Sequence, residues 1–346
     1  MREEVLASVL ANPRIQPELA IWGWQIMTYL FLGGVAAGIM VFSGWTILAR
    51  KEAQAPFAAN RAPLVGFVVL ALGLLTLFLD LEHPINVWRF YASFEVTSPM
   101  SWGSWILLLV MPVLALLALA GLPDGFPGLY AWLCGLPVVG PRMVPALLDL
   151  VTARRRLLAA LSIFLGAALG IYTGVLLSGF NARPFWHSAL LGPLFLVSGI
   201  STGAAVIILG AGTREERHLF GRIDLGVILV ELTFIGLLII DMLNGNAQQQ
   251  DAIALLLGGD ATRLFWVGFI GFGLGVPLLL EWATWRHSIA FVAMLASILV
   301  LIGGFLLRDI VLTAGQETGW THFHNQFNAS LLGELRNDGE RPDGRF

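Results

Sequence analysis

Three carboxyl groups are widely spaced along one long apolar stretch of the sequence: Asp224, Glu231 and Asp241. A carboxyl group takes up and releases protons, and an acid among apolar side chains needs a partner or a bound proton. The pattern therefore indicates a proton relay. The alternative for Glu231, near the middle of the stretch, is a protonated carboxyl that only hydrogen-bonds to a neighbouring helix.

A second ionisable group lies where another apolar stretch ends, in the motif LDLEHP (79–84). Its members are Asp80, Glu82 and His83, which can exchange protons as positioned acid–base groups do. We expect further charged residues at the same level, near the ends of other stretches: Arg183, Asp241, Arg308 and Asp309. The alternative is that such residues simply lie among lipid headgroups.

Aromatic and amide side chains share one helical face near the start of the first apolar stretch. Trp22, Gln25 and Tyr29 are spaced i, i+3 and i+7, which puts them on one side of a helix. That face offers an aromatic wall and two hydrogen-bonding groups. Tyr172 lies about two turns inside the end of a fourth stretch. The alternative is that these residues are interfacial anchors.

The positions of histidine and cysteine argue against metal sites within the apolar stretches. All six histidines lie at stretch ends, in loops or in the C-terminal tail, so we do not expect haem between two helix histidines. The single cysteine, Cys134, can neither hold an iron–sulfur cluster nor run a thiol–disulfide relay. A net charge of −3 makes nucleic acid an unsuitable partner.

The elements that position these residues must be membrane helices. Of 346 residues, 57% are hydrophobic and 12% are charged, against about 25% charged in soluble domains. A span needs roughly 20 apolar residues, and a helix satisfies its own backbone hydrogen bonds in lipid. We predict an all-α integral membrane protein with eight transmembrane helices, near 20–49, 62–81, 100–121, 157–179, 188–211, 222–243, 262–281 and 288–312.

The basic residues predict the orientation of the spans. Eleven Lys and Arg residues lie in the loops after spans 1, 3, 5 and 7, whereas the loops after spans 2, 4 and 6 contain only Arg89, Arg183 and Arg263. Basic loops stay on the cytoplasmic side. We therefore expect both termini outside.

Short matches indicate that the chain contains two copies of a four-helix unit. GVAAG (34–38) in span 1 matches GISTG (199–203) in span 5, and further matches follow in the same order. Four spans per copy make a parallel repeat, and we expect the glycine pairs to pack within each bundle. The alternative is that apolar helices resemble one another without duplication. The predicted division is an outer N-terminal segment 1–19, a first four-helix bundle 20–187, a second four-helix bundle 188–312 and an outer C-terminal tail 313–346.

Four segments together resemble the NrfD/PsrC family: WGWQIMTYLFLGGVAAG (22–38), LDLEHP (79–84), TSPMSWGSW (97–105) and YTGVLLSGFNARPFW (172–186). Members are the membrane subunits of polysulfide-reductase-like molybdopterin oxidoreductase complexes. The resemblance implies a bacterial or archaeal cell membrane, no haem or iron–sulfur cluster in this chain, and a quinone, menaquinone or ubiquinone, bound in the first bundle near the outer face. It also implies that a four-cluster iron–sulfur subunit docks there and exchanges electrons with a molybdopterin subunit.

The resemblance also implies which residues form the quinone site. Tyr172 matches a tyrosine that contacts the quinone, and Glu82 aligns with a family glutamate. Tyr29 and Ile26 fall where the polysulfide reductase member has a histidine and an asparagine, so Gln25 is expected to replace the asparagine. The expected quinone-binding residues are Trp22, Gln25, Tyr29, Asp80, Glu82, His83, Trp102 and Tyr172.

The implied function is that of a membrane anchor and quinone-binding subunit of a respiratory enzyme complex whose main catalytic centre lies on a partner. Quinol oxidation at the outer face would release protons outside without charge crossing the membrane. Proton translocation would then need a separate path, for which Asp224, Glu231 and Asp241 are the candidates. A secondary transporter, which also has repeats and membrane carboxylates, and a passive anchor without quinone stay open as alternatives.

Overall fold

The fold is built from long α-helices. The computed structural model describes residues 22–136, 140–180, 183–284 and 289–318. Within these ranges eight helices are long and apolar enough to cross a membrane and no strand is found, which confirms the all-α class with eight spans. The helices are α1 Trp24–Leu48, α2 Phe57–Leu79, α3 Pro99–Gly125, α4 Arg155–Ser178, α5 Leu191–Gly210, α6 Arg214–Leu243, α7 Leu264–Ala283 and α8 Ala290–Glu317.

Two helices extend well beyond their predicted apolar stretches. α6 begins at Arg214 rather than near 222, and the Thr213 hydroxyl caps it by accepting a hydrogen bond from the Glu216 backbone N–H (3.2 Å). A capped helix continues into polar sequence because the cap satisfies its free N–H groups. α8 continues to Glu317, so the predicted tail begins as helix. The rest of that tail, from residue 319, and the predicted segment 1–19 lie outside the described residues.

The buried carboxylate of Glu216 ties α6 to the start of α2. It accepts hydrogen bonds from the backbone N–H groups of Ala58 (2.9 Å) and Phe57 (3.4 Å). These donors belong to the π-helical turn Phe57–Arg61 that opens α2, and the first N–H groups of a helix have no partner within it. α7 also opens with a π-helical stretch, Leu264–Gly275.

Helices α1 and α5 cross with their backbones in contact. A Cβ built on Gly203 would lie 2.6 Å from the Cα of Gly38, and one on Gly199 would lie 2.8 Å from the carbonyl oxygen of Gly34. No larger residue fits at these positions without separating the helices. The expectation that each glycine pair packs within its own bundle is therefore wrong for these two motifs, because each provides the small face that the other needs.

Each half of the chain forms a ring of helix contacts. α2 and α4 both contact α1 and α3, and α6 and α8 both contact α5 and α7. α5 also packs along α1 and α4, so the two rings share an interface. The division into two bundles at residue 187 stays a prediction, which these contacts favour.

Candidate functional site

Two buried tyrosines lie between the helices of the first half. Tyr29 on α1 is 4% exposed and Tyr172 on α4 is 6% exposed. The Tyr29 ring packs beside α2, where a Cβ on Gly73 would lie 3.8 Å from its Cδ2 atom. Helices α1 and α4, which carry the two tyrosines, pack against each other. The structure therefore brings these two predicted site residues together.

Gly103 on α3 makes the space for the Tyr172 ring. A Cβ built on Gly103 would overlap the Cζ and Oη atoms of Tyr172. Any side chain at this position would push the phenol away from its place between α3 and α4. The sequence reasoning missed this role, because a glycine inside an apolar helix does not show which neighbour it faces.

The loop between α2 and α3 adds a third tyrosine that the sequence reasoning also missed. Tyr91 lies on the short helix Arg89–Ala92, which packs against α3. The Ser104 hydroxyl of α3 donates a hydrogen bond to the carbonyl oxygen of Phe90 (2.9 Å) and so fastens this loop. Tyr91 is one of four tyrosines in the chain. A residue type this rare, close to the LDLEHP motif, could have marked Tyr91 as a candidate for the site.

Trp105 supplies a buried hydrogen-bond donor on α3. Its indole N–H has no acceptor among the described residues, and its ring packs edge-on against Phe94 at 5.6 Å between centroids. Buried donors are nearly always satisfied by protein or water. This N–H is therefore available to a water molecule or to a ligand oxygen.

Gln25 and Ile26 lie one turn before Tyr29 on α1. Gln25 is half-buried, and its amide oxygen lies so near Gly23 that a Cβ there would be 2.7 Å away. The amide thus points towards the N-terminal end of the helix. Ile26 is buried among apolar side chains and its side chain offers no hydrogen bond.

The two predicted wall tryptophans have separate surroundings. Trp22 precedes α1 and stacks on Trp186 at 5.4 Å between centroids, with Phe180 edge-on at 5.2 Å. Its backbone N–H also donates to the side chain of Gln316 at the end of α8 (2.9 Å). Trp102 is 42% exposed, and its indole N–H donates to the carbonyl oxygen of Val96 (2.8 Å). Trp22 therefore fastens α8 to the first half of the chain.

The acid cluster of LDLEHP follows α2 directly. Glu82 and His83 are exposed, and Asp80 caps the C-terminal end of α2. Partial burial raises the pKa of the Asp80 carboxyl above its ordinary value because burial disfavours the charged form. Asp80 is thus the member of the cluster whose surroundings favour holding a proton.

Asp224 and Glu231 are buried on one face of α6. They are seven residues apart, two helical turns, and less than 2% exposed. The Ser201 hydroxyl of α5 donates to Asp224 Oδ1 (2.6 Å), and the Ser198 hydroxyl is in hydrogen-bond contact with Glu231. The serines are three residues apart, so α5 presents one polar edge to these acids.

Arg308 completes this chain of polar groups, although the sequence placed it at the outer face. It is fully buried, nine residues before the end of α8 and thus about 14 Å inside it. Its guanidinium donates to Ser198 Oγ (2.6 Å) and to the carbonyl oxygen of Phe195 (3.2 Å). We call Asp224, Ser201, Glu231, Ser198 and Arg308 the α5–α8 polar chain. A charge at this depth needs such partners.

Asp241 does not join the α5–α8 polar chain. It is exposed near the end of α6 and accepts a hydrogen bond from the Ser188 hydroxyl (2.8 Å) in the loop before α5. The structure thus brings two of the three predicted relay carboxyls into one network and leaves the third at the helix end.

The fold and these buried groups define a class of protein. Helical multi-span membrane proteins with ionisable groups inside the lipid-embedded part use such groups to move protons, ions or electrons. In the described part of the chain, no three His, Cys, Asp or Glu side chains come together as metal ligands would.

The chain belongs to the NrfD family. The family model described as polysulphide reductase, NrfD, matches residues 14–319. Protein NrfD of Escherichia coli is 34% identical over 316 residues, which cover 87% of this chain and 96% of that protein. A polysulfide reductase chain of Wolinella succinogenes is 30% identical over 315 residues, with the same coverage. A selenate reductase subunit of Mesobacillus selenatarsenatis is 25% identical, over 75% of this chain and 66% of that protein.

Proposed function

We propose that this chain is the membrane subunit of a quinone-linked reductase complex and that Tyr29 and Tyr172 hold the quinone headgroup. The observation that carries the proposal is the pair of buried phenols contributed by the neighbouring helices α1 and α4. Two relatives are named as parts of a polysulfide reductase and of a selenate reductase, which supports membership of a reductase complex.

The residues fit a quinone because they supply hydrogen-bond donors among apolar side chains. A phenol hydroxyl donates to a carbonyl oxygen, and Tyr91 and the free indole N–H of Trp105 add further donors. A bound menaquinone or ubiquinone would supply two-electron, two-proton redox chemistry. This chain would bind and orient it and, through Asp80, Glu82 and His83, exchange its protons with water.

The electrons would pass to or from partner subunits at the outer face. We infer an iron–sulfur subunit with a molybdopterin catalytic subunit behind it, since the main chemistry of such a complex lies outside the membrane. Exposed apolar side chains between α2 and α3, including Ile85 (90% exposed), Phe94 and Val96, support a protein contact there, because exposed apolar patches often mark interfaces. Both termini would face outward in the cell membrane.

The test uses the complex purified with its partner subunits and measures quinol oxidation or quinone reduction. Tyr172→Phe and Tyr29→Phe each remove one hydrogen bond, worth about 0.5–1.5 kcal/mol, so the KM for quinol should rise about two- to tenfold. Tyr130→Phe is the matched control, because Tyr130 lies on the short helix Pro127–Cys134 after α3. Unchanged KM in both site variants, with intact assembly, would remove the two tyrosines from the site, whereas an assembled complex without quinone-linked turnover would leave a passive anchor.

A secondary transporter is the second candidate, because α7, which carries the buried Glu281, opens with the π-helical stretch Leu264–Gly275. Irregular helices next to buried charges often line substrate paths in transporters. Purification decides between the two candidates. A transporter would be isolated without redox subunits, whereas the proposed subunit would copurify with iron and molybdenum or tungsten in stoichiometric amounts.

A further inference from the structure

An open cleft lies at the inner end of α6, α7 and α8, which is the end that the basic loops predict to be cytoplasmic. Its lining includes Arg217, His218, Arg222, Glu281, Thr284 and Ala293. The first three residues belong to the first turns of α6, which extend beyond the apolar part of the helix. The cleft therefore offers water and ions a polar entrance.

Glu281 connects this cleft to the α5–α8 polar chain. It lines the cleft although it is 7% exposed, and the part of α7 that carries it packs against α6, which carries Asp224. Asp224 Oδ2 and Glu281 Oε2 are both buried without a hydrogen-bond partner among the described residues, and a carboxylate only accepts hydrogen bonds, so each carboxyl needs a bound proton or a water molecule. Glu281 and Asp224 thus form a proton-holding pair between the cleft and the interior.

The part of the α5–α8 polar chain that lies farther from the cleft contains polar atoms without a partner. Glu231 Oε1 and Arg308 Nε are both buried and have no hydrogen-bond partner among the described residues. Buried polar atoms are nearly always satisfied, by ordered water where no protein group is available. These two atoms therefore mark places for water molecules between the acids of α6 and the arginine of α8.

Arg308 brings the far end of the network to the helix that carries Tyr29. Its Nη2 atom lies so close to Gly34 of α1 that a Cβ on Gly34 would be 2.7 Å away. Gly34 is five residues from Tyr29, about 7.5 Å along the helix axis. The polar network thus runs from the inner cleft to the interface between the two halves of the chain.

We propose that the cleft is the mouth of a hydrated proton half-channel, which leads through the Glu281–Asp224 pair to Glu231 and ends at Arg308. The use of this proton path in turnover rests on the proposed quinone function, whereas the path itself is defined by the polar groups. Its ligand is water carrying protons. A proton that enters at Glu281 displaces a proton from the Glu281–Asp224 pair towards Glu231. When the Glu231 carboxyl is ionised, Arg308 balances its negative charge. No electron moves in this step.

The first test asks whether water reaches the network from the inner side. The background is Cys134→Ser, which removes the single cysteine. Thr284→Cys and Ala293→Cys, which both line the cleft, should then react with a charged, membrane-impermeant methanethiosulfonate in inside-out vesicles and not in right-side-out vesicles. Ile298→Cys, which is 46% exposed on α8, should react in neither. Thr284→Cys and Ala293→Cys that stay unmodified, or that react from the outer side, would overturn the half-channel.

The second test measures proton uptake per electron in proteoliposomes that contain the complete complex. Glu281→Gln should abolish uptake from the inner side, and Glu281→Asp should restore part of it because the carboxyl is kept. Glu215→Gln is the matched control, since Glu215 is exposed at the same end of α6, and its ratio should equal that of wild type.

The two proposals fail in different ways. A wild-type complex without quinone-linked turnover would refute the proposed function, and the cysteine result would still decide the half-channel. Normal turnover with no proton uptake in wild type, or with wild-type uptake in Glu281→Gln, would refute the half-channel and leave the quinone site standing.

Discussion

The substitution Gly103→Ala adds one methyl group where the Tyr172 phenol lies. The Cβ would overlap the Cζ and Oη atoms of that ring, so either the ring or helix α3 must move. Overpacking of this kind costs typically about 1–3 kcal/mol. It opposes the usual gain of up to about 1 kcal/mol when alanine replaces glycine in a helix. We expect net destabilisation and, because the phenol is displaced, a raised KM for quinol.

A double-mutant cycle separates the clash with Tyr172 from other effects of the added methyl group. In a Tyr172→Ala background the ring is absent, so Gly103→Ala should no longer destabilise the protein; interacting pairs commonly show coupling of about 0.5–3 kcal/mol. Thermal unfolding in detergent gives the stabilities, and quinol turnover gives the KM. Gly33→Ala is the control, because no described atom lies within 4 Å of a Cβ at Gly33. Equal effects of Gly103→Ala in both backgrounds would refute the assigned contact.

Three further predictions concern stability and assembly. Gly203→Leu should separate α1 from α5, because even a Cβ there comes within 2.6 Å of Gly38; loss of folded, monodisperse protein in size-exclusion chromatography checks this. Arg308→Met should destabilise by about 3–5 kcal/mol, since it leaves Glu231 and Ser198 without their buried partner; unfolding temperature and yield measure the loss, and a variant as stable as wild type would contradict it. Asp80→Asn should stabilise the protein near neutral pH. The raised pKa of Asp80 means that the folded state binds this proton more tightly than the unfolded state does. The contribution of Asp80 to the free energy of unfolding is therefore complete below about pH 3.9 and falls as the pH rises. The difference in unfolding temperature between variant and wild type should therefore vanish in acid.

Part of the first-half site could be predicted from the motifs of the family resemblance. Tyr29 and Tyr172 could be predicted as partners because each lies in a motif of the resemblance. Trp22 could not be placed by helical spacing, because it precedes α1, where the chain turns to pack its indole on Trp186 and its backbone on Gln316. A helical periodicity carries no information outside the helix.

The α5–α8 polar chain also shows that contacts between helices cannot be predicted from helical spacing. Asp224 and Glu231 share a face of α6 by their own spacing, so their alignment was predictable. That Glu281 meets Asp224 and that Arg308 meets Ser198 was not, because each pair joins different helices and depends on their packing.

The eight spans were determined by the sequence alone, since each apolar stretch satisfies its backbone hydrogen bonds within itself and needs no other helix to do so. Which helices touch was decided only by the tertiary structure. The glycines of α1 and α5 let two backbones meet, and that approach sets where Arg308, the buried acids and the two tyrosines lie relative to one another. Side-chain contacts between helices depend on the shape of both surfaces, and no single stretch of sequence contains both.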